Sequence, residues 1–357
     1  MLDLNLQIFF MLCVVLILVV SMIKILLPVS IRIGLTDKPG GRKKHGSVTP
    51  VIGGIAIFLG LGITALLFSF PLNAYRGFFA GGAILLFFGA LDDMHELSAK
   101  KKLLAQFGAA FMMCFWGHHV IASLGALWGS SLILHGFSIP FTVLCTIASI
   151  NAVNMIDGFD GLSGSLILSE LLMFLGVALY CHKSQDIILL LMLISSIVGF
   201  LWFNFPIKNR AARIFMGDAG SMFWGFVVVW FAITVTQYGK HINPITVVWI
   251  IALPMFDMVR LFVERIKDKK SPFQPDRRHL HHLLEVNIKD KSLLCLSVSM
   301  LSLSLGGLGF LLEYIDISQQ LNLALYLVTF AIYFFTVRSD FNRMDAIDVQ
   351  PISLCTD

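Results

Sequence analysis

The chain has 357 residues, of which 57% are hydrophobic and only 13% are charged. A soluble domain usually carries about 25% charged residues, so this composition excludes a soluble protein and indicates a chain that crosses a membrane many times. The formal net charge of +4 decides little by itself, and nothing in the sequence indicates a nucleic-acid partner.

Eleven apolar segments are candidates for membrane spans, since a spanning helix needs about 20 apolar residues. In chain order they lie near 5–29, 51–70, 77–91, 103–122, 137–156, 161–181, 186–205, 219–237, 244–263, 292–312 and 321–337. We therefore predict an all-α, polytopic membrane helix bundle with about eleven transmembrane helices. It would form a single catalytic domain over 1–337, followed by a cytoplasmic tail at 338–357. The first segment lacks a preceding basic region, so we expect a retained span rather than a signal peptide.

The loops between these segments alternate between a basic side and a side with little positive charge. The basic side holds 22 of the 26 Lys and Arg residues, whereas Arg76, Lys183 and Lys240 fall on the other side. Positively charged loops stay in the cytoplasm. We therefore predict an external N-terminus, a cytoplasmic C-terminus, and cytoplasmic loops near 30–50, 92–102, 157–161, 206–218 and 264–291.

The first of these loops is basic and rich in residues that form turns. It contains Arg42, Lys43, Lys44 and His45. These charges help to set the topology. They would also attract a phosphate group at the membrane surface, where each basic residue contributes about 1 kcal/mol beside an anionic leaflet.

Acidic residues follow on the same predicted face at three places. They are Asp92 and Asp93 after the third segment, Asp157 and Asp160 between the fifth and sixth, and Asp218 at the start of the eighth. Ionisable groups beside a membrane span are costly and usually mark a ligand or ion site. Adjacent carboxylates repel each other unless a cation lies nearby or one of them is protonated. The clusters therefore predict a hard divalent cation, Mg²⁺, which takes one or two carboxylates and is completed by substrate phosphates.

The last predicted cytoplasmic loop is rich in Arg and His. It carries Arg277, Arg278, His279, His281 and His282. These side chains could bind an anionic ligand, and His281 or His282 could relay a proton. A zinc site is an alternative interpretation of the three histidines, although the loop has neither a Cys residue nor an HExxH pattern.

In chain order, these motifs resemble those of the polyprenyl-phosphate N-acetylhexosamine-1-phosphate transferases over essentially the whole chain. The matching pieces are Asp37-Lys38-Pro39 with Arg42, Lys43 and His45; Asp92-Asp93; Asn151 through Leu162; Phe215 through Gly220; and His279-Leu280-His281-His282. Within the family, the loop around these histidines resembles the bacterial branch that uses undecaprenyl phosphate and N-acetylglucosamine. The lipid I branch typically has a Lys soon after its paired Asp, whereas here Met94-His95-Glu96-Leu97 follows.

The resemblance implies transfer of N-acetylglucosamine 1-phosphate from UDP-GlcNAc to undecaprenyl phosphate, with release of UMP and with Mg²⁺ or Mn²⁺ as cofactor. This reaction initiates the synthesis of lipopolysaccharide O-antigen or a related cell-surface glycan. The resemblance also implies a multi-pass protein of the bacterial inner membrane whose active site faces the cytoplasm. The oligomeric state stays open.

The resemblance further implies roles for individual residues. The expected catalytic residues are Asp92, Asp93, Asp157 and Asp160, and the expected metal ligands are Asp218 and Asp93. Asp92 would be a base or contact the acceptor phosphate, and Phe215 would stack on uracil. The expected substrate-binding residues are Asn151, Asn154, Asn204, Phe215, Arg277, His279, His281, His282, Lys43 and His45. Direct attack by the lipid phosphate is favoured, and a covalent Asp-phosphate route stays open.

Two other functions stay open. The first is the same reaction with another donor, such as UDP-MurNAc-pentapeptide or a UDP-linked deoxy N-acetylhexosamine. The second is a cation-coupled transporter, because acids within a membrane also mark ion paths. A transporter predicts acids near the middle of the bilayer at broken helices, whereas these acids are predicted to cluster at one membrane face.

Overall fold

The computed structural model describes residues 4–37, 48–126, 129–181, 184–207, 211–238, 242–271 and 278–348. Helices dominate this part of the chain. They are α1 Leu4–Ile33, α2 Gly53–Leu67, α3 Arg76–His95, α4 Ala99–Phe111, α5 Ser138–Ile156, α6 Leu162–Tyr180, α7 Ser184–Asn204, α8 Gly217–Gln237, α9 Pro244–Ile250, α10 Ala252–Lys267, α11 Leu280–Asn287, α12 Lys291–Tyr314 and α13 Gln319–Asp348. A π-helical turn, Met112–Trp116, extends α4, and a 3-10 turn, His135–Phe137, leads into α5. The strands β1 Thr36–Asp37 and β2 Thr49–Pro50 pair antiparallel.

Eight helices in the described part of the chain are long and apolar enough to cross a membrane. They are α1, α3, α5 with its 3-10 turn, α6, α7, α8, α12 and α13. The pair α9 and α10 meets the same criterion jointly but is bent by 82°, and α2 is apolar but shorter, with 15 residues. The helices confirm the predicted all-α membrane bundle. The number of eleven spans and the orientation of the termini stay predictions.

The predicted segment near 244–263 is not one straight helix. α9 ends at Ile250 and α10 begins at Ala252, so Pro254 lies in the first turn of α10. A proline has no N–H group to continue a helix but fits a first turn, where that group would be unpaired anyway. Pro254 therefore favours a new helix start within an otherwise apolar segment. At the other end of the chain, α13 continues to Asp348, so the first part of the predicted tail is helical.

Helix α8 lies at the centre of the bundle. It is buried along nearly its whole length, and Trp224, Trp230 and Phe226 are fully buried. A helix that is hydrophobic on all sides is expected to be enclosed by other helices. Small residues let these neighbours come close. A Cβ atom at Gly225 would lie 2.5 Å from the Cα of Ile150 in α5, so the two backbones touch there.

The first turn of α8 is in backbone contact with α2 and α3. A Cβ atom at Gly89 of α3 would overlap the Cα of Ala219, and one at Gly54 of α2 would overlap the Cα of Gly220. No side chain separates these backbones. The close approach brings the last turn of α3, which carries Asp92 and Asp93, against the start of α8.

The segment that precedes α8 joins the start of α2 through backbone hydrogen bonds. The Phe215 amide donates to the Pro50 carbonyl at 2.8 Å, and the Gly53 amide donates to the Phe215 carbonyl at 2.9 Å. The loop after α1 therefore returns beside the start of α8. We call this region the acidic end of the bundle, where α3 and α5 end and α4, α6 and α8 begin.

The opposite end is held together by glutamine side chains. Gln237, the last residue of α8, accepts hydrogen bonds from the amides of Ala122 and Ser123, both at 3.0 Å. Gln319, the first residue of α13, donates to the Leu124 carbonyl at 2.6 Å. The long connection between α4 and α5 is thus fixed across the end of the bundle that lies away from the acidic end.

Candidate active site

Asp93 binds the first amides of α8. Its Oδ1 accepts a hydrogen bond from the Asp218 amide at 2.9 Å, and its Oδ2 accepts one from the Ala219 amide at 3.3 Å. The first amides of a helix have no partner within the helix, and a carboxylate beside them is favourable. Gly217 has φ +75, and a Cβ atom there would lie 2.5 Å from Asp93 Oδ2. Asp93 therefore fixes the backbone that carries Asp218.

The turn between α3 and α4 brings two acids and a lysine together. α3 ends where Glu96 adopts a left-handed conformation, with φ 46, and α4 begins at Ala99. Asp92 thus lies in the last turn of α3, and Lys102 lies in the first turn of α4. Asp92 Oδ1 also accepts a hydrogen bond from the Leu97 amide at 2.6 Å, which tightens this turn.

Lys102 bridges two carboxylates at the acidic end. Its Nζ lies 2.9 Å from Asp218 Oδ2 and contacts Asp92 Oδ2. The Asp92 side chain is 4% exposed, whereas those of Lys102 and Asp218 are 31% and 32% exposed. Burial opposes the charged form of Lys102, but the carboxylates of Asp218 and Asp92 raise its pKa above the usual value. The ammonium is therefore charged and still reachable from solvent.

Lys102 was not among the site residues predicted from the sequence. The run Lys100 to Lys102 was visible, but nothing distinguished one lysine from the next. A signal was available in the helical period, because residues four apart lie on one face. Lys102 shares a face with the polar Gln106 within an otherwise apolar stretch, and in the structure Gln106 is buried whereas Lys100 and Lys101 are exposed.

Two asparagines of α5 extend this cluster. Asn154 Nδ2 donates to Asp218 Oδ1 and to Ser221 Oγ, both at 2.8 Å. Asn151 lies three residues earlier on the same face, and its Nδ2 donates to Gln106 Oε1 at 2.8 Å. The structure therefore brings Asn154 to the carboxylates, while Asn151 lies one helical turn deeper against α4.

Asp157 lies between α5 and α6, outside the membrane helices. Its Oδ1 accepts a hydrogen bond from Ser163 Oγ at 2.5 Å. Burial raises the pKa of Asp157 to about 7, with a smaller contribution from the charge of Asp218, although the Ser163 hydrogen bond lowers it. This carboxyl group can therefore gain or lose a proton near neutral pH.

Asp160 and Asn204 contact the backbones of neighbouring loops. Asp160 Oδ2 accepts a hydrogen bond from the Ala212 amide at 3.2 Å and lies 3.5 Å from Lys291 Nζ. Asn204 Oδ1 accepts from the Gly161 amide and its Nδ2 donates to the Ile214 carbonyl, both at 2.9 Å. These contacts join the loop after α5 to the segment before α8. The catalytic role of Asp160 and the substrate-binding role of Asn204 stay predictions.

The histidine motif lies at the start of α11, against the loop after α5. A Cβ atom at Gly158 would overlap Nε2 of His281, and the rings of His281 and Phe159 lie 5.8 Å apart. The rings of His281 and His282 are 4.2 Å apart. Burial, together with the neighbouring imidazoles of His282 and His279, lowers the pKa of His281 to about 3. The ring of His281 is therefore neutral at physiological pH.

Other residues expected in the site are placed as follows. The ring of Phe215 is partly buried, and its stacking on uracil stays a prediction. Lys43, His45 and Arg277 lie outside the described residues.

The described carboxylates suit a divalent cation whose remaining ligands are water and substrate phosphates. Four carboxylates, those of Asp92, Asp93, Asp157 and Asp218, gather around the start of α8, while Lys102 contributes one positive charge. In the described part of the chain, no group of three or more His, Cys, Asp or Glu side chains could hold a metal ion by itself. Mg²⁺ needs only one or two carboxylates when water and phosphates complete its shell. Asp218, whose side chain is about one third exposed, is the accessible member of this set.

Comparisons with known proteins identify relatives over most of the chain. Residues 75–236, which contain all five acids discussed above, match the model of glycosyl transferase family 4. An undecaprenyl-phosphate alpha-N-acetylglucosaminyl 1-phosphate transferase of Escherichia coli (strain K12) is 33% identical over 320 residues, covering 86% of this chain and 84% of that protein. A transferase of the same name from Yersinia pestis is 34% identical over 319 residues, covering 87% of this chain and 86% of that protein. A probable undecaprenyl-phosphate N-acetylglucosaminyl 1-phosphate transferase of Bacillus subtilis (strain 168) is 33% identical over 259 residues, with 72% and 71% covered.

Proposed function

The chain belongs to glycosyl transferase family 4, and we propose that it is a phosphoglycosyl transferase. It transfers N-acetylglucosamine 1-phosphate from UDP-GlcNAc to undecaprenyl phosphate and releases UMP. The names of the relatives support this donor and this acceptor. The observation that carries the proposal is the meeting of Asp92, Lys102 and Asp218 at the ends of three helices.

This arrangement suits the transfer of a phosphoryl group. Such reactions leave the protein mainly with the tasks of positioning phosphates and neutralising their charge. Lys102 lies between Asp92 and Asp218 and is about one third exposed. Two of the three N–H donors of its ammonium group are used by the carboxylates, which fix its position, and one is left for a phosphate oxygen.

We propose that Asp218 binds Mg²⁺, or Mn²⁺ in its place. When bound, the ion neutralises negative charge on the diphosphate and on the leaving UMP. Asp93 supports Asp218 by accepting the hydrogen bond of its amide, and Asn154 binds the Asp218 carboxylate from α5. The first contact fixes the backbone of Asp218 and the second orients its carboxylate, which preorganises a metal site.

Direct attack by the lipid phosphate is the favoured route. A covalent route needs a carboxylate oxygen that is free to attack phosphorus. Asp92 is only 6% exposed, so a phosphorus centre could not reach it, and its oxygens bind the Leu97 amide and Lys102. Asp92 is therefore better suited to hold Lys102 than to act as a nucleophile. Exchange of labelled UMP into UDP-GlcNAc in delipidated enzyme, without any lipid acceptor, would contradict direct attack.

The location of the reaction follows from the same proposal. UDP-sugars are soluble in the cytosol, so the acidic end would face the cytoplasm of a bacterial inner membrane. The product would begin the synthesis of O-antigen or a related cell-surface glycan. The charge distribution of the loops supports this orientation.

The test uses purified protein with undecaprenyl phosphate, Mg²⁺ and a panel of UDP-sugars. We expect UMP release and a lipid product with UDP-GlcNAc, loss of both after chelation of the metal, and recovery on adding Mg²⁺. Asp218→Asn should remove the activity. Turnover only with another UDP-sugar would support the proposed reaction type but contradict UDP-GlcNAc as the donor. No turnover with any donor in folded protein would overturn the proposal and favour the transporter.

A further inference from the structure

A second group of buried charges lies where α10, α11 and α13 meet. Asp257 of α10 is 1% exposed, and Arg260, one turn later, is fully buried. The Arg260 guanidinium donates to Asp257 Oδ1 at 2.9 Å and to Glu264 Oε2 at 3.1 Å. Buried charges are costly unless they are paired and hydrogen-bonded. Here Arg260 is paired with both carboxylates, which offsets the cost of burial.

Asp257 is the centre of this group. Its Oδ1 accepts from the Leu280 amide and from the Tyr333 hydroxyl, both at 3.0 Å, in addition to Arg260. Its Oδ2 lies 2.8 Å from Nδ1 of His279. One carboxylate thus joins its own helix, the start of α11 and the middle of α13.

The contact with His279 defines the state of its ring. An ionised carboxylate can only accept hydrogen bonds, so Nδ1 of His279 carries the proton that is shared with Asp257. In the neutral ring, Nε2 is then left as an acceptor. A carboxylate that holds one nitrogen of a histidine fixes both the orientation and the tautomer of the ring.

The contact with Leu280 defines where α11 begins. Leu280 is the first residue of this helix, and the side chain of the preceding His279 forms no cap. Asp257 supplies a carboxylate to that first amide from a different helix, where negative charge is favourable. The Arg260 guanidinium also contacts the Arg278 carbonyl, so the chain is held on both sides of His279.

Asp257 is linked through His279 to the other histidines of the motif. The rings of His279 and His281 are stacked, with centroids 5.4 Å apart. His281 in turn lies against Gly158, one residue from Asp157. One series of contacts thus runs from Asp257 through the rings of His279 and His281 to the loop after α5.

We propose that Asp257 is a positioning residue, which holds His279 and the start of α11 so that the histidine motif faces the donor diphosphate. The expected effect on kcat/KM rests on the proposed function. The expected effect on the stability of the start of α11 does not, since it can be measured without substrate. Tyr333 supports Asp257, because its uncharged hydroxyl donates a hydrogen bond to the carboxylate.

The structural test is hydrogen exchange of the full-length protein in detergent. Asp257→Asn should accelerate amide exchange in 280–287 about fivefold, as expected for loss of a negative charge beside the first amide of a helix, while α3 and α8 exchange as in the wild type. Glu313→Gln is the matched control, since Glu313 accepts hydrogen bonds from Asn243 and Thr246 away from α11. Unchanged exchange in 280–287, or equal acceleration everywhere, would overturn the proposal whether or not the protein turns over UDP-GlcNAc.

The kinetic test is a double-mutant cycle between Asp257→Asn and His279→Ala. Each change alone should lower kcat/KM roughly 10- to 100-fold, with a raised KM for UDP-GlcNAc. The double variant should be no worse than His279→Ala, because residues that act as one unit are not additive. Multiplied effects would contradict the proposal. If Asp257→Asn does not fold, Tyr333→Phe replaces it, with a smaller loss of kcat/KM that must disappear in the His279→Ala background.

Discussion

At the scale of single residues, Lys102 relieves a repulsion that the fold itself creates. Asp92 and Asp218 come from different helices and meet at one ammonium group. Two carboxylates that share one site favour uptake of a proton, and the charge of Lys102 opposes this uptake. Lys102→Met should lower kcat/KM for UMP release about 100-fold or more, the typical effect of losing a donor that stabilises charge in the transition state.

The neighbouring lysine provides the control for this prediction. Lys101 is exposed and one residue away, so Lys101→Met removes the same charge from the same turn of α4. It should leave kcat/KM near the wild-type value. Equal losses in the two variants would mean that the loop attracts substrate through its total charge, and that the bridge between Asp92 and Asp218 has no separate role.

Asp157 should make stability depend on pH. Its pKa rises from an ordinary value of 3.8 to about 7 in the folded protein, chiefly through burial. As the pH rises from about 4 to about 7, the unfolded chain loses this proton first, so this contribution to stability is lost. Ser163→Ala removes the hydrogen bond that lowers the pKa, and the loss should then extend to higher pH.

Thermal unfolding in detergent between pH 4 and pH 8 measures this effect. Asp157→Asn is the reference, since it removes the titrating group and should flatten the curve in this interval. Ser163→Ala curves that coincide with those of the wild type would contradict the assigned hydrogen bond.

At the scale of helices, the site depends on how closely α3 approaches α8. Gly89→Ala would insert a methyl group against the Cα of Ala219, and backbone atoms cannot move aside as a side chain can. We expect the last turn of α3 to shift, with a destabilisation of about 1–3 kcal/mol and loss of activity. Gly62→Ala in α2 is the control, because a Cβ atom there meets nothing within 4 Å. Unfolding midpoints and UMP release would distinguish the two.

The sequence predicted helices well and their interruptions poorly. Apolar segments of about 20 residues define spans because the bilayer leaves few alternatives to a helix. The break before Pro254 was missed, since the surrounding residues are as apolar as those of a continuous helix. Likewise, the sequence identified Asp92, Asp93 and Asp218 by their charge, but not that Asp93 holds the amide of Asp218. Such roles depend on contacts between distant parts of the chain.

At the scale of the whole molecule, Asp92, Asp93 and Asp218 lie together at one end of the bundle. Side-chain contacts join α3, α4, α5 and α8 at this end. The same end carries the contacts between α10, α11 and α13. Loops that are separated by an even number of spans lie on the same side of the membrane, so the acids are expected at one end. Which compartment this end faces is predicted only by the distribution of Lys and Arg.

That compartment can be measured with single cysteines in a variant whose six native cysteines are replaced. Lys101→Cys reports on the acidic end, and Ser131→Cys reports on the exposed connection at the opposite end. A membrane-impermeant maleimide should label Ser131→Cys in intact spheroplasts and Lys101→Cys only in inverted vesicles, because the basic loops stay in the cytoplasm. The reverse pattern would put the carboxylates on the side that lacks UDP-sugars, and the proposed reaction could not take place there.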